Sequence, residues 1–167
     1  EPEVLKLYAK HYETREVIPD ELITKIQNQG TFNQGFMTTE LLAAALLDME
    51  LHNLTDTENL NVVAFEKETM DKLGLIPEIA PRYRATYFSH IIGGYAAGYY
   101  SYLWAEVLDT DAFEAFKEHG VFDKNTADSF RKNILEKGGT EDPMTLYRGF
   151  RGADPSLEPL LKNRGLK

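Results

Sequence analysis

Apolar residues recur three and four positions apart along most of the 167-residue chain, the spacing of helices with one buried face. Val4, Leu5, Tyr8 and Tyr12 predict a first helix over 3–12, with Pro2 near the first turn, where its missing N–H costs nothing. Pro19-Asp20-Glu21 offers a cap and an acidic first turn to a helix over 22–29, buried along Leu22, Ile23 and Ile26 and ended by Gly30. The longest regular stretch, 38–54, leaves little room for a polar face. It predicts a central helix buried on most sides and capped by Thr38 or Thr39. A polar loop over 55–61 precedes an amphipathic helix over 62–73 stopped at Gly74, and Pro77 and Pro81 bracket an irregular connection. Asp109-Thr110-Asp111 reads as a break and restart into a helix over 112–119. Asn125 reads as the cap of a helix over 127–137, Asp142-Pro143 as the start of one over 144–150, and Asp154-Pro155 as the start of a last one over 156–163. No strand, repeat or low-complexity segment stands out. The expectation is an all-α fold of about eight or nine helices in one domain, 1–167.

The stretch 88–106, FSHIIGGYAAGYYSYLWAE, departs from this plain patterning with a histidine, two adjacent glycines, four tyrosines and the only tryptophan. If helix runs from Tyr95, then Tyr95, Tyr99, Tyr102 and Glu106 share a sector roughly 60° wide. Ala96, Tyr100, Leu103 and Val107 form a second stripe, so the helix should be buried. A buried phenol needs a partner for its hydroxyl, and residues chosen only to fill a core are more often Phe or Leu. Core packing and the wall of a pocket both remain open on the pattern alone. Gly93-Gly94 lacks the Lys and Ser/Thr of a phosphate loop; it predicts a tight loop that is mobile or that lets a ligand strand approach closely.

Composition removes several function classes. There are 27 acidic and 18 basic residues, a formal charge of −9, and the basic residues are scattered, which argues against nucleic acid and against an anionic membrane face. Cysteine is absent, so neither disulfides nor thiolate metal sites form. His11, His52, His90 and His119 have no metal-binding spacing, no His-Glu-x-x-His occurs, and no Ser sits in a Gly-x-Ser-x-Gly elbow. His11, His52 and His119 read as ordinary surface or helix-end residues. No apolar run reaches membrane-spanning length and no signal peptide opens the chain, so a soluble protein is expected, cytoplasmic rather than periplasmic. The opening at Glu1-Pro2, helix-forming within three residues, suggests a piece cut or processed from something longer.

His90-Ile-Ile-Gly-Gly-Tyr95-Ala-Ala-Gly-Tyr99-Tyr100-Ser-Tyr102-Leu-Trp104, followed by Asp111-Ala-Phe113, resembles the carboxyl-terminal part of the thimet oligopeptidase and dipeptidyl carboxypeptidase family of zinc metallopeptidases. Phe32-Asn33-Gln34-Gly35, Pro81-Arg82-Tyr83-Arg84, Gly138-Gly139-Thr140 and the ending from Pro159 to Leu166 extend the likeness over essentially the whole chain. Its flavour is nearer the bacterial dipeptidyl carboxypeptidases, which take dipeptides off free carboxyl ends, than the endopeptidases. In that family the zinc ligands precede the matched region. The resemblance therefore implies the C-terminal portion of a catalytic region, with a peptide substrate and the preceding part of the same protein as partners. Zinc is then a cofactor of the whole enzyme, with no ligand here, and the chain alone is inactive.

Residue by residue, the resemblance makes Tyr102 the phenol that donates to the scissile carbonyl oxygen and His90 a hydrogen-bonding partner of substrate, the two catalytic candidates. Tyr95, Tyr99, Gly93 and Gly94 become substrate-binding candidates. Some dipeptidyl carboxypeptidases carry an extra glycine before the first tyrosine, which puts the carboxylate-contacting role of Tyr95 in question. The rival from another class is a non-catalytic helical module that docks a peptide or protein through the Tyr95/Tyr99/Tyr102 face.

Overall fold

Pro2 sits in the first turn of α1 (Pro2–Tyr8), which is shorter than its apolar spacing predicts. At Ala9 the backbone turns extended, and His11 N–H donates to Glu16 O at 2.8 Å while Ile18 N–H donates to Ala9 O at 2.9 Å. These bonds fold the next residues into a small loop around Arg15, at φ 64°, and Tyr12 lies on the loop rather than on the helix. An isolated antiparallel bridge between Lys10 and Val17 is the sole β pairing in the computed structural model, which describes all of residues 1–167. The fold is all-α.

The remaining helices are α2 (Asp20–Gly30), α3 (Gln34–His52), α4 (Val62–Lys72), α5 (Ser101–His119), α6 (Lys124–Phe130), α7 (Pro143–Arg151) and α8 (Glu158–Asn163). Two 3₁₀ turns, Ala85–Tyr87 and Ser89–Ile92, lie between α4 and α5, and α6 runs on into a π turn at Arg131–Leu135. Several ends differ from the sequence expectation for identifiable reasons. α3 starts at Gln34 behind a left-handed Asn33. Its threonines do not cap: Thr39 Oγ1 donates back to Gly35 O at 2.7 Å, and Thr38 Oγ1 accepts from Arg164. α5 passes unbroken through Asp109-Thr110-Asp111, since Thr110 Oγ1 donates to Glu106 O at 2.7 Å and Asp111 accepts from the Tyr147 hydroxyl. Neither side chain is free to cap. Asp123, not Asn125, caps α6 by accepting from Thr126 N–H at 2.7 Å. Asp142 and Pro143 start α7 as expected, whereas Asp154 pairs with Arg148 and leaves α8 without a side-chain cap.

Three alanines on α3, Ala43, Ala44 and Ala45, keep that helix slim where its neighbours approach. Ala44 and Ala45 pack with Phe88, Ile91 and Tyr99, and Ala43 and Leu47 pack with Met70 of α4. α8 docks along α5, and its far end is tied by Arg164, which grips Glu106 through two nitrogens and Thr38 Oγ1 at 2.7 Å. A second aromatic group, Phe113, Phe116, Phe130 and Phe150, joins α5, α6 and α7.

The central helix is not buried on most sides. Phe36, Met37, Leu42 and Leu46 of α3 face water, as do Leu22 and Ile26 of α2 and Trp104 of α5. The accessible surface is 11415 Å², whereas a folded monomer of 19.0 kDa exposes about 8,400 Å². The chain thus leaves roughly 3,000 Å² more in water than its mass requires, much of it apolar.

Candidate active site

The segment between α4 and α5 is held by carboxylates at both ends. Glu66 of α4, buried, accepts from Arg84 Nε and from Ala85 N–H at 2.7 Å, fixing the first 3₁₀ turn. Phe88 and Ile91 are then driven into the α3 alanines. Downstream, Asp48 of α3 is 0 % exposed and accepts three consecutive backbone N–H groups, those of Ala97 at 3.0 Å, Gly98 at 2.9 Å and Tyr99 at 2.9 Å. His52 Nδ1, one turn along, lies 2.9 Å from the same carboxylate. A buried charge is tolerable only when it is met by donors, and here a tight turn supplies them. Ala97 takes φ 51°, a left-handed conformation unfavourable for a residue with a Cβ, and the three amides converge on Asp48 around it.

This turn occupies 93–100, so helix begins at Ser101 and not at Tyr95. The tyrosines meet by a different route. The Tyr95 and Tyr102 rings stack at 5.2 Å, Tyr99 meets Tyr102 edge-on at 5.1 Å, and the His90 ring stands 5.5 Å from Tyr99, 5.9 Å from Tyr95 and 6.3 Å from Tyr102. His90, Tyr95, Tyr99 and Tyr102 therefore form one cluster, and Tyr83 joins it 4.8 Å from His90. Burial is uneven: Tyr99 is 4 % exposed and roots the cluster in the core, while Tyr95 and Tyr102, at 42 % and 41 %, reach the surface. Glu106, on the same stripe, is occupied by Arg164. Gly93 and Gly94 lie exposed in the link between His90 and Tyr95, with nothing within 4 Å of the place a Cβ would take. Gly93 has φ −135°, so open approach, not a left-handed turn, distinguishes it.

A cleft of about 390 Å³ opens on the cluster, bordered by Leu41, Arg82, Tyr83, His90, Tyr99, Tyr102 and Glu106. Two of its phenols, those of Tyr99 and Tyr102, are held toward the protonated form. The hydrogen-bonding contact with the Tyr95 phenol, then partial loss of solvent, pushes Tyr102 up to about 12. Burial raises Tyr99 above its ordinary value, against the lowering field of Arg82. A phenol so held is a hydrogen-bond donor across the physiological range. His90 Nδ1 is enclosed and has no hydrogen-bond partner, a cost that native structures usually tolerate for a reason. No group of three or more His, Asp or Glu side chains is arranged to hold a metal ion, so the residues of this chain do not fit a zinc site of their own. The arrangement can bind and polarise a carbonyl, and it carries no general base poised beside a nucleophile.

Sequence reasoning missed Asp48, Glu66, Tyr83 and Arg82 as builders of this site. Asp48 carried a readable signal, a lone carboxylate inside the apolar run from Leu41 to Met49. His52, read as an ordinary helix-end residue, is its partner.

The model of peptidase family M3 matches residues 1–166. A dipeptidyl carboxypeptidase of Escherichia coli K12 is 44% identical over 172 residues, covering 99% of this chain and 25% of that protein. Oligopeptidase A of the same organism is 39% identical over 169 residues, covering 100% and 25%. Saccharolysin of Saccharomyces cerevisiae is 31% identical over 163 residues, covering 95% and 23%. The chain spans about a quarter of the length of these relatives. No helix is long and apolar enough to cross a membrane. With a family match that runs the length of the chain and leads through the His90, Tyr95, Tyr99 and Tyr102 cluster, the chain belongs to peptidase family M3.

Proposed function

We propose that residues 1–167 form the substrate-side, C-terminal part of the catalytic region of a zinc peptidase that cleaves oligopeptides and releases dipeptides from free carboxyl ends. The observation that carries this reading is the convergence of His90, Tyr99 and Tyr102 on an open cleft, with the Tyr95 ring stacked on Tyr102 and the Tyr102 phenol held protonated. In it Tyr102 donates to the carbonyl oxygen of the scissile bond as negative charge grows there, and His90 supplies a second hydrogen bond. Donors fixed before the reaction and aimed at a developing oxyanion are worth about 10²–10³ in rate. Tyr95, Tyr99 and the open Gly93-Gly94 link contact the peptide, extended alongside it.

Zinc, when bound by the rest of the protein, would supply the Lewis acid that activates water; this chain contributes recognition, orientation and charge stabilisation. The 44% identity to a dipeptidyl carboxypeptidase favours release of dipeptides over internal cleavage. The excess apolar surface supports the preceding part of the same protein as the partner that covers α2 and α3.

Peptide hydrolysis followed by mass spectrometry tests the reading. The complete protein is expected to shorten free-acid peptides two residues at a time, to stop on chelation and to resume with zinc, while the 167-residue chain given zinc releases nothing. Chelator-sensitive hydrolysis by the chain alone, or internal cleavage without dipeptide release by the complete protein, would overturn it.

A further inference from the structure

Each oxygen of the buried Asp48 carboxylate receives two donors. Oδ1 accepts from Ala97 N–H at 3.0 Å and from His52 Nδ1 at 2.9 Å, and Oδ2 accepts from Gly98 N–H and Tyr99 N–H, both at 2.9 Å. His52 Nδ1 also lies 2.8 Å from Asp48 O, a further acceptor, so the ring proton sits on that nitrogen. These donors fill the acceptor capacity of an ionised carboxylate, and neither an amide nor a protonated acid could take them all.

The bonds continue into the cleft. Gly98 N–H is shared with Tyr95 O at 2.9 Å, which ties Tyr95 to the same amide. Ser101 N–H donates to Gly98 O at 3.0 Å and Tyr102 N–H to Tyr99 O at 3.3 Å, so α5 begins on carbonyls of residues that Asp48 already holds by their amides. α6 and α7 start on local caps, Asp123 and Asp142, whereas α5 has no side-chain cap of its own. Its start is set instead by a carboxylate 51 residues before Tyr99. The arrangement carries a fully buried charge and a left-handed Ala97, although glycine would serve a merely structural turn without strain. Strain of this kind persists where the surroundings over-determine it, and it gathers at active sites.

We infer that Asp48 is a positioning residue of the peptidase reaction: held by His52, it sets the origin of α5 and with it the place of the Tyr102 hydroxyl at the cleft. The inference rests on the peptidase reading above. It gives two residues of α3, outside the tyrosine motif, a part in the reaction beyond holding the fold. Wholly shielded from water, Asp48 touches no substrate and acts only through Tyr102.

The test is a double-mutant cycle in the complete protein, with kcat and KM measured on a free-acid peptide and each rate divided by the folded fraction from circular dichroism. Asp48→Asn keeps the shape but sets an NH₂ group against the turn amides; kcat is expected to fall about tenfold to a hundredfold, with KM changed by no more than about threefold. In a Tyr102→Phe background the same substitution should change kcat by less than about threefold, because the group it misplaces is already gone. His52→Ala, at a site one-third exposed, repeats the cycle and keeps it decisive where Asp48→Asn does not fold. Its expected fall in kcat is smaller, about threefold to tenfold, since one donor is lost and the carboxylate stays. Unchanged kcat per folded molecule would overturn the inference, because Asp48 then only stabilises the turn. Equal falls with and without the Tyr102 hydroxyl would also overturn it, because the route then bypasses Tyr102. Absence of peptide hydrolysis by the wild type would instead remove the peptidase reading, and the inference with it.

Discussion

Asp48 accepts the backbone N–H of Tyr99 at 2.9 Å across 51 residues of sequence, from a position wholly shielded from water. The bond places a charged anchor beneath the turn that carries Tyr95 and Tyr99 and leads into Tyr102, so α3 helps set where these phenols stand although none of its residues belongs to their motif.

Asp48→Ala leaves three N–H groups, those of Ala97, Gly98 and Tyr99, without their acceptor. The expected loss is about 3 kcal/mol of unfolding free energy, read as a lower urea midpoint. Amide exchange at 97–99 should accelerate more than exchange along α5. Unchanged protection at those amides would show that the turn holds itself together.

Alkaline pH should destabilise the fold through its phenols. Tyr147, buried and donating to Asp111, and Tyr99, buried, are raised above the ordinary value of 10.0, and Tyr102 is raised to about 12. A folded-state pKa above the unfolded one contributes stability that is complete below about pH 10 and lost as pH rises through the folded value. Tyrosinate absorbance followed together with helix content should show unfolding accompanying ionisation between about pH 10 and 12. Ionisation of all nine tyrosines near pH 10 with the helices intact would contradict the burial of Tyr99 and Tyr147.

Arg164 closes the chain onto itself by gripping Glu106 and Thr38. Arg164→Ala strands Glu106 and should cost about 2–3 kcal/mol. Adding Glu106→Gln should recover about 1 kcal/mol, because the two residues form one network. Strict additivity in that cycle would mean the pair contributes nothing beyond its separate parts.

The helical class was legible in the sequence, and so was the gathering of His90, Tyr95, Tyr99 and Tyr102, because apolar spacing and an unusual density of tyrosine are local properties; Arg82 and Tyr83, which line the same cleft, carried no such signal. The route by which the tyrosines meet was not. A single helix from Tyr95 puts them on one stripe, whereas the structure uses a turn around a left-handed Ala97 and only then a helix from Ser101. That turn is stabilised by Asp48, far away in sequence, and no local rule reports such a bond. The same reason hides the continuity of α5 at Asp109-Thr110-Asp111, where the polar side chains look like punctuation until Tyr147 takes one of them. The burial expected of α3 and of the tyrosine helix failed differently: their apolar faces are present, but residues 1–167 do not cover them.

The donor role of Tyr102 is tested most directly by Tyr102→Phe in the complete protein, with kcat and KM measured on a free-acid peptide. A hydrogen bond made mainly in the transition state predicts a fall in kcat of about 10²–10³ with KM changed by no more than about threefold. An unchanged kcat, with the whole effect in KM, would contradict it.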